Sequence, residues 1–134
     1  MSRVRYLFME NHGYLLGMIE NFGIGIDVSS IEKFKNKPFN ENESFYKKIS
    51  SDEEIIYCLK FKNSSEKFAG KFALKEALLK SISKDLDFSE ITTSHLDSKP
   101  VVKFLDSDQN YRFLASLSHE NDYAISVIIS ERIT

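Results

Sequence analysis

Three residues have the type and setting for charged-ligand chemistry: Asp27, which closes "GIGID", and Glu76 and Lys80 of "KEALLK". Hard divalent cations such as Mg²⁺ take one or two protein carboxylates and complete their shell with water and substrate phosphates. Asp27 and Glu76 are candidate ligands of that kind. Lys80 follows Glu76 by four residues, an order that also suits a plain surface ion pair on a helix. Asp27 raises a sharper question. If Ile24 and Ile26 point into a core, strand alternation sends Gly23, Gly25 and Asp27 to the opposite face, and two of those three have no side chain. Glycine inside a strand marks the close approach of a ligand or of another backbone.

The elements that must hold these residues are legible from pattern. Residues 21–28 read as a strand, and "SSIEKF" starts a short helix capped by Ser29 or Ser30. A second helix runs from about Phe45 to Ser50, and "SSDEEIIYCLKF" opens a third with Ser and acidic residues ahead of apolar ones. The longest helix spans about 64–83, where Asn63 and Glu66 resemble a capping box. On it Phe68, Phe72, Leu79 and Ile82 gather on one side and Leu74 and Leu78 widen the buried arc, so the helix is nearly surrounded. Ala69, Ala73, Glu76 and Lys80 form a strip on its flank.

After Asp87 the period changes to two. "SEITTSHL", "KPVVKFL" and a hairpin of "YRFLASLSH" with "YAISVIIS" predict a mainly antiparallel C-terminal half, with "END" as the hairpin turn. A strand, several helices and then a β-meander define an α+β fold. Residues 1–19 read as an N-terminal arm and 20–134 as one domain.

Composition bounds the function. The 134 residues carry a net charge of -2, which argues against wholesale nucleic-acid binding. Residues 60–84 nonetheless hold seven lysines against two glutamates, a strip attractive to a polyphosphate or an acidic protein. The one cysteine, Cys58, sits in an apolar run and reads as core filler in a reducing, cytoplasmic compartment. No stretch approaches the ~20 apolar residues of a membrane span. The "GIG" lacks the third glycine of a dinucleotide loop, and no Walker sequence is present. His12, His95 and His119 have no zinc-ligand spacing. On position alone His119, beside a polar turn, is a surface-turn histidine.

Four segments, "GIGIDVSSIEKF", "FAGKFALKEALLKSI", "SKPVVKF" and "ASLSHENDYAISVII", taken together and in order, resemble the holo-acyl-carrier-protein synthases, the small trimeric 4′-phosphopantetheinyl transferases. The resemblance implies that fold, with a long central helix on a mainly antiparallel sheet. It implies transfer of phosphopantetheine from coenzyme A to a serine of apo acyl carrier protein, in fatty acid or polyketide synthesis, with active sites between the subunits of a homotrimer. Asp27 and Glu76 fall on the family's magnesium ligands, and Lys80 on its phosphate-contacting lysine. His119 falls on the histidine of its coenzyme A pocket. Gly23 and Gly25 would then clear space for a metal carrying a pyrophosphate. Either Glu76 or a metal-bound water would take the serine proton. The alternative is a non-catalytic homologue that binds coenzyme A or a carrier as a trimeric module. Ser30 stands where the family has an acidic residue, Lys33 and Lys71 where it commonly has arginine, and Ser98 where it has glycine. "SISKDLD" replaces its Gly-Thr-Gly turn.

Overall fold

The computed structural model describes residues 21–82, 84–106 and 110–133, so the arm at 1–19 and His12 lie outside it. Strand β1 (Phe22–Ser30) leads into helix α1 (Ile31–Lys35), whose N-cap is Ser30, its side chain accepting from the Lys33 N–H. Helix α2 (Glu43–Ile49) and helix α3 (Asp52–Leu59) follow. Ser51 and Glu54 close a capping box on α3. The long helix α4 covers Ser64–Ile82. At its start Asn63 meets Glu66 side chain to side chain, the amide donating to Glu66 Oε2 at 2.9 Å. Strands β2 (Ile91–Leu96), β3 (Lys99–Phe104), β4 (Tyr111–Glu120) and β5 (Tyr123–Arg132) complete the chain.

The expected meander is divided. Strands β1, β5 and β4 form one antiparallel sheet in that order, and β2 with β3 forms a separate hairpin. Phe104 at the end of β3 packs edge-on against Tyr111 and Phe113 of β4, so side chains rather than a ladder join the two sheets.

Strand β1 carries the main departure from the sequence reading. Gly23, Gly25 and Ser29 are buried and Asp27 is half-buried, whereas Ile24, Ile26 and Val28 are 50%, 47% and 56% exposed. The isoleucines face away from the core because α4 occupies the other face at backbone contact. A Cβ on Gly25 would stand 1.9 Å from the Ala77 carbonyl oxygen and 2.7 Å from the Ser81 nitrogen. Gly25 therefore admits the helix, not a ligand, and the bare face is explained by another backbone.

Helix α4 is surrounded, as its wheel predicts. Phe68, Ala69 and Ala73 join an aromatic cluster with Phe34 and Tyr46. Leu74, Ala77, Leu78, Leu79 and Ile82 pack with Ile91, Val102, Phe104 and Ile128 beneath the sheet. Full burial of a leucine contributes ~1.5–3 kcal/mol, so Leu74 and Leu78 alone weigh heavily in the fold. Cys58 is fully buried and its thiol is pushed up to about 12, mainly by desolvation, which fits core filler. Among the described residues no helix is long and apolar enough to cross a membrane.

Two stability predictions follow from backbone geometry. Gly25→Ala cannot be relieved by side-chain movement, because both clashing atoms are backbone. It should destabilise by more than ~3 kcal/mol in urea unfolding, and an unchanged midpoint would remove the close-approach account. In the two-residue turn between β2 and β3, Asp97 and Ser98 have φ of 50° and 68°. Ser98→Gly should therefore stabilise by about 1 kcal/mol.

Candidate functional site

The site is assembled where α4 crosses the sheet. Asp27, Ser126 and Leu117 lie in one cross-strand row, and Ser29, Ala124 and His119 in the next, two residues along. Directly opposed residues share a face, so both rows look toward α4. Asp27 Oδ2 accepts from the Ser29 hydroxyl at 2.6 Å, and Asp27 Oδ1 faces Lys80 Nζ at 3.3 Å. Lys80 also donates to the Ile26 carbonyl at 3.0 Å. The lysine is thus paired across the sheet–helix interface with Asp27.

Glu76 is 4% exposed. It sits immediately before Ala77, which touches Gly25, and one turn before Lys80, so it belongs to the stretch of α4 that β1 covers. Asp27 and Glu76 are carboxylates of the type that Mg²⁺ accepts when water and substrate oxygens supply the remainder, and of the two Asp27 is seen against Lys80. Among the described residues no group of three or more His, Cys, Asp or Glu forms a self-sufficient metal cage. Any cation bound here would need oxygens from water or from its ligand.

His119 lies at the other end. Its Nε2 is 3.3 Å from the Glu66 carbonyl oxygen, and its Nδ1 is 3.6 Å from Glu66 Oε1. Position 70 on α4 underlies the ring, since a Cβ there would stand 3.3 Å from His119 Nε2. From Gly70 to Lys80 the helix rises roughly 15 Å. The predicted residues therefore do not converge on one point: Asp27 and Lys80 are in contact, Glu76 is buried one turn before Lys80 on α4, and His119 lies near the start of that helix.

A brace behind the site was missed by the sequence reading. Lys71 and Lys75, counted in the basic strip, turn inward and are 4% and 1% exposed. Lys75 Nζ is 2.6 Å from Glu54 Oε1 and 3.0 Å from the Ile49 carbonyl. Glu54 Oε2 accepts from the Thr93 N–H at 3.0 Å and from the Thr93 hydroxyl, which also takes Lys71 Nζ at 3.0 Å. Only the capping-box pattern around Glu54 could have marked it. Burial works to raise the Glu54 carboxyl, but the Lys75 charge and the hydrogen bonds from Lys75, Thr93 and Ser51 outweigh it and hold the group below its ordinary value. Desolvation holds Lys71 and Lys75 below the usual lysine range. Of the other departures, Ser30 caps α1, and Lys33 lies over the Phe72 ring at 5.0 Å.

A family model described as the 4′-phosphopantetheinyl transferase superfamily matches residues 23–128. The holo-[acyl-carrier-protein] synthase of Geobacillus sp. (strain WCH70) is 36% identical over 119 residues, covering 84% of this chain and 98% of that one. That of Ehrlichia ruminantium (strain Gardel) is 38% identical over 115 residues, covering 80% and 94%. The crystal structure of Helicobacter pylori holo-[acyl-carrier-protein] synthase in complex with coenzyme A superposes with a TM-score of 0.66 at 32% identity, over 78% of this chain and 96% of that one. An α+β fold with a long helix laid on an antiparallel sheet is what this chain shares with these matches. The chain belongs to the 4′-phosphopantetheinyl transferase superfamily, and its matches within it are holo-[acyl-carrier-protein] synthases over nearly their whole length.

The brace gives a signed pH prediction. A carboxyl whose folded pKa is depressed stabilises above its unfolded value and loses that stabilisation as pH falls through the folded one. Wild-type stability in urea should therefore drop below about pH 4.5 more steeply than that of Glu54→Gln. At pH 7 the variant, left with a buried unpaired lysine, should be weaker by ~3 kcal/mol.

Proposed function

We propose that the protein transfers 4′-phosphopantetheine from coenzyme A to a serine of apo acyl carrier protein in a Mg²⁺-dependent reaction that releases 3′,5′-ADP. The observation that carries this reading is the Lys80 amine held against Asp27 where α4 crosses β1, with the buried Glu76 one turn earlier on the same helix. Coenzyme A in the Helicobacter pylori complex supports the ligand.

The serine oxygen attacks the pantetheine-side phosphorus, the bond from that phosphorus to the bridging oxygen breaks, and 3′,5′-ADP leaves with the bonding electrons. Such transfers depend chiefly on positioning and charge neutralisation. Asp27 and Glu76 would hold the metal, which neutralises pyrophosphate charge when bound. Lys80 offers a second positive charge to the same phosphates. Either Glu76 or a metal-bound water would accept the serine proton, and His119, near the start of α4, would meet the coenzyme.

A homotrimer with sites between subunits fits the outer face of the sheet. Phe22, Ile24, Ile26, Val28, Leu114 and Ile129 are exposed there, an apolar surface of the kind that seeks a partner. The buried free thiol of Cys58 supports a cytoplasmic location.

Intact mass spectrometry of an apo acyl carrier protein incubated with the protein, coenzyme A and Mg²⁺ tests the reaction. A gain of one phosphopantetheine, abolished by EDTA, is expected. Asp27→Ala and Glu76→Ala should each lower the rate by at least ~10²-fold while remaining folded, and Lys80→Ala should lower it severely. Coenzyme A binding without any mass gain would favour the non-catalytic module, and undiminished turnover in either carboxylate variant would remove the metal assignment.

A further inference from the structure

One residue of α4 grips both edges of the His119 ring. The Glu66 carbonyl faces Nε2 at 3.3 Å, and Glu66 Oε1 faces Nδ1 at 3.6 Å. Glu66 is itself held, its other carboxylate oxygen accepting from the Asn63 amide at 2.9 Å and its N–H donating to the Asn63 carbonyl at 3.0 Å. One turn along, Gly70 leaves the space the ring occupies. A Cβ there would stand 3.3 Å from His119 Nε2 and 3.0 Å from Leu117 Cδ2. The His119 and Glu66 side chains are 26% and 33% exposed, so the pair is open enough for a ligand to reach the imidazole and sheltered enough to be ordered.

We propose that Glu66 is a positioning residue for the coenzyme A site, fixing the His119 ring before the ligand arrives, with Gly70 providing the room. The proposal rests on the reading of His119 as a coenzyme A contact. A ring already held in place loses less rotational freedom on binding. The acid's charge alone would act the other way, since a carboxylate near a phosphate site repels its ligand. Position and charge therefore predict opposite signs when the carboxylate is removed.

Steady-state kinetics with varied coenzyme A, on the full chain, decide between them. Glu66→Ala should raise KM for coenzyme A about three- to tenfold with little change in kcat. Glu66→Gln keeps an oxygen facing the ring and should restore KM to near the wild-type value. Gly70→Ala should raise KM as Glu66→Ala does. His119→Ala should also raise KM, and adding Glu66→Ala to it should have no further effect, because the two act as one unit. In long-range ¹H–¹⁵N spectra of the ligand-free protein, Glu66→Ala should shift the ring signals of His119 and leave those of His95, stacked on Tyr57, in place.

An unchanged or lowered KM in Glu66→Ala, additive effects in the double variant, or unmoved His119 signals would each overturn the positioning role. Failure of the functional reading is seen separately, as absence of transfer by the unsubstituted protein before any Glu66 variant is made.

Discussion

The closeness of α4 to β1 at Gly25 is the constraint on which the rest of the molecule depends. A helix backbone and a strand backbone can meet there only because no Cβ intervenes, the nearest helix atom lying 1.9 Å from where one would stand. That contact sets the height of α4 above the sheet. It brings Lys80 within reach of Asp27 and the Ile26 carbonyl, and carries Glu76 into the covered stretch of the helix. Ser130, donating to the Ser81 carbonyl at 3.1 Å, ties the far end of the helix to β5.

Height alone does not fix which residues face the strand, because successive residues on a helix differ by about 100°. The rotation of α4 is pinned by charge on its other side. Lys75, one position before Glu76, is drawn to Glu54, and Glu54 is anchored by α3's N-terminus and by Thr93 of β2. Lys75 thus braces the helix on one side, and Glu76 follows it about 100° further around the axis. Buried ion pairs add little net stability compared with apolar packing, and their documented value lies in specifying one arrangement. In this chain that arrangement is the register of the helix against its aspartate.

Much of this was legible in the sequence because the signals were local. The long helix expected at about 64–83 and found at Ser64–Ile82, the β4–β5 hairpin, and a serine cap on α1, left between Ser29 and Ser30 and found at Ser30, all follow from period and capping chemistry within one segment, and Gly25 of "GIGID" did mark a close approach. What failed was anything requiring knowledge of the partner. Ile24 and Ile26 look like core residues until it is known that α4 takes the glycine face and leaves them to the outside. Lys71 and Lys75 look like a solvated strip until Thr93 and Glu54, 22 and 21 residues away, are placed beside them. The Glu66 grip on His119 spans 53 residues and has no sequence signature. Asp27 and Glu76 were paired as candidate cation ligands by residue type and setting, the resemblance added the role of Lys80, and the geometry then supplied the contact between Asp27 and Lys80.

In the proposed reaction Asp27 and Glu76 would serve a single cation beside the phosphates of coenzyme A. Electron paramagnetic resonance of Mn²⁺, substituting for Mg²⁺ and titrated into the protein with coenzyme A present, reads this without turnover. Stoichiometric binding in the wild type that is lost in both Asp27→Asn and Glu76→Gln is the predicted result. Binding that survives undiminished in either variant would contradict a shared site.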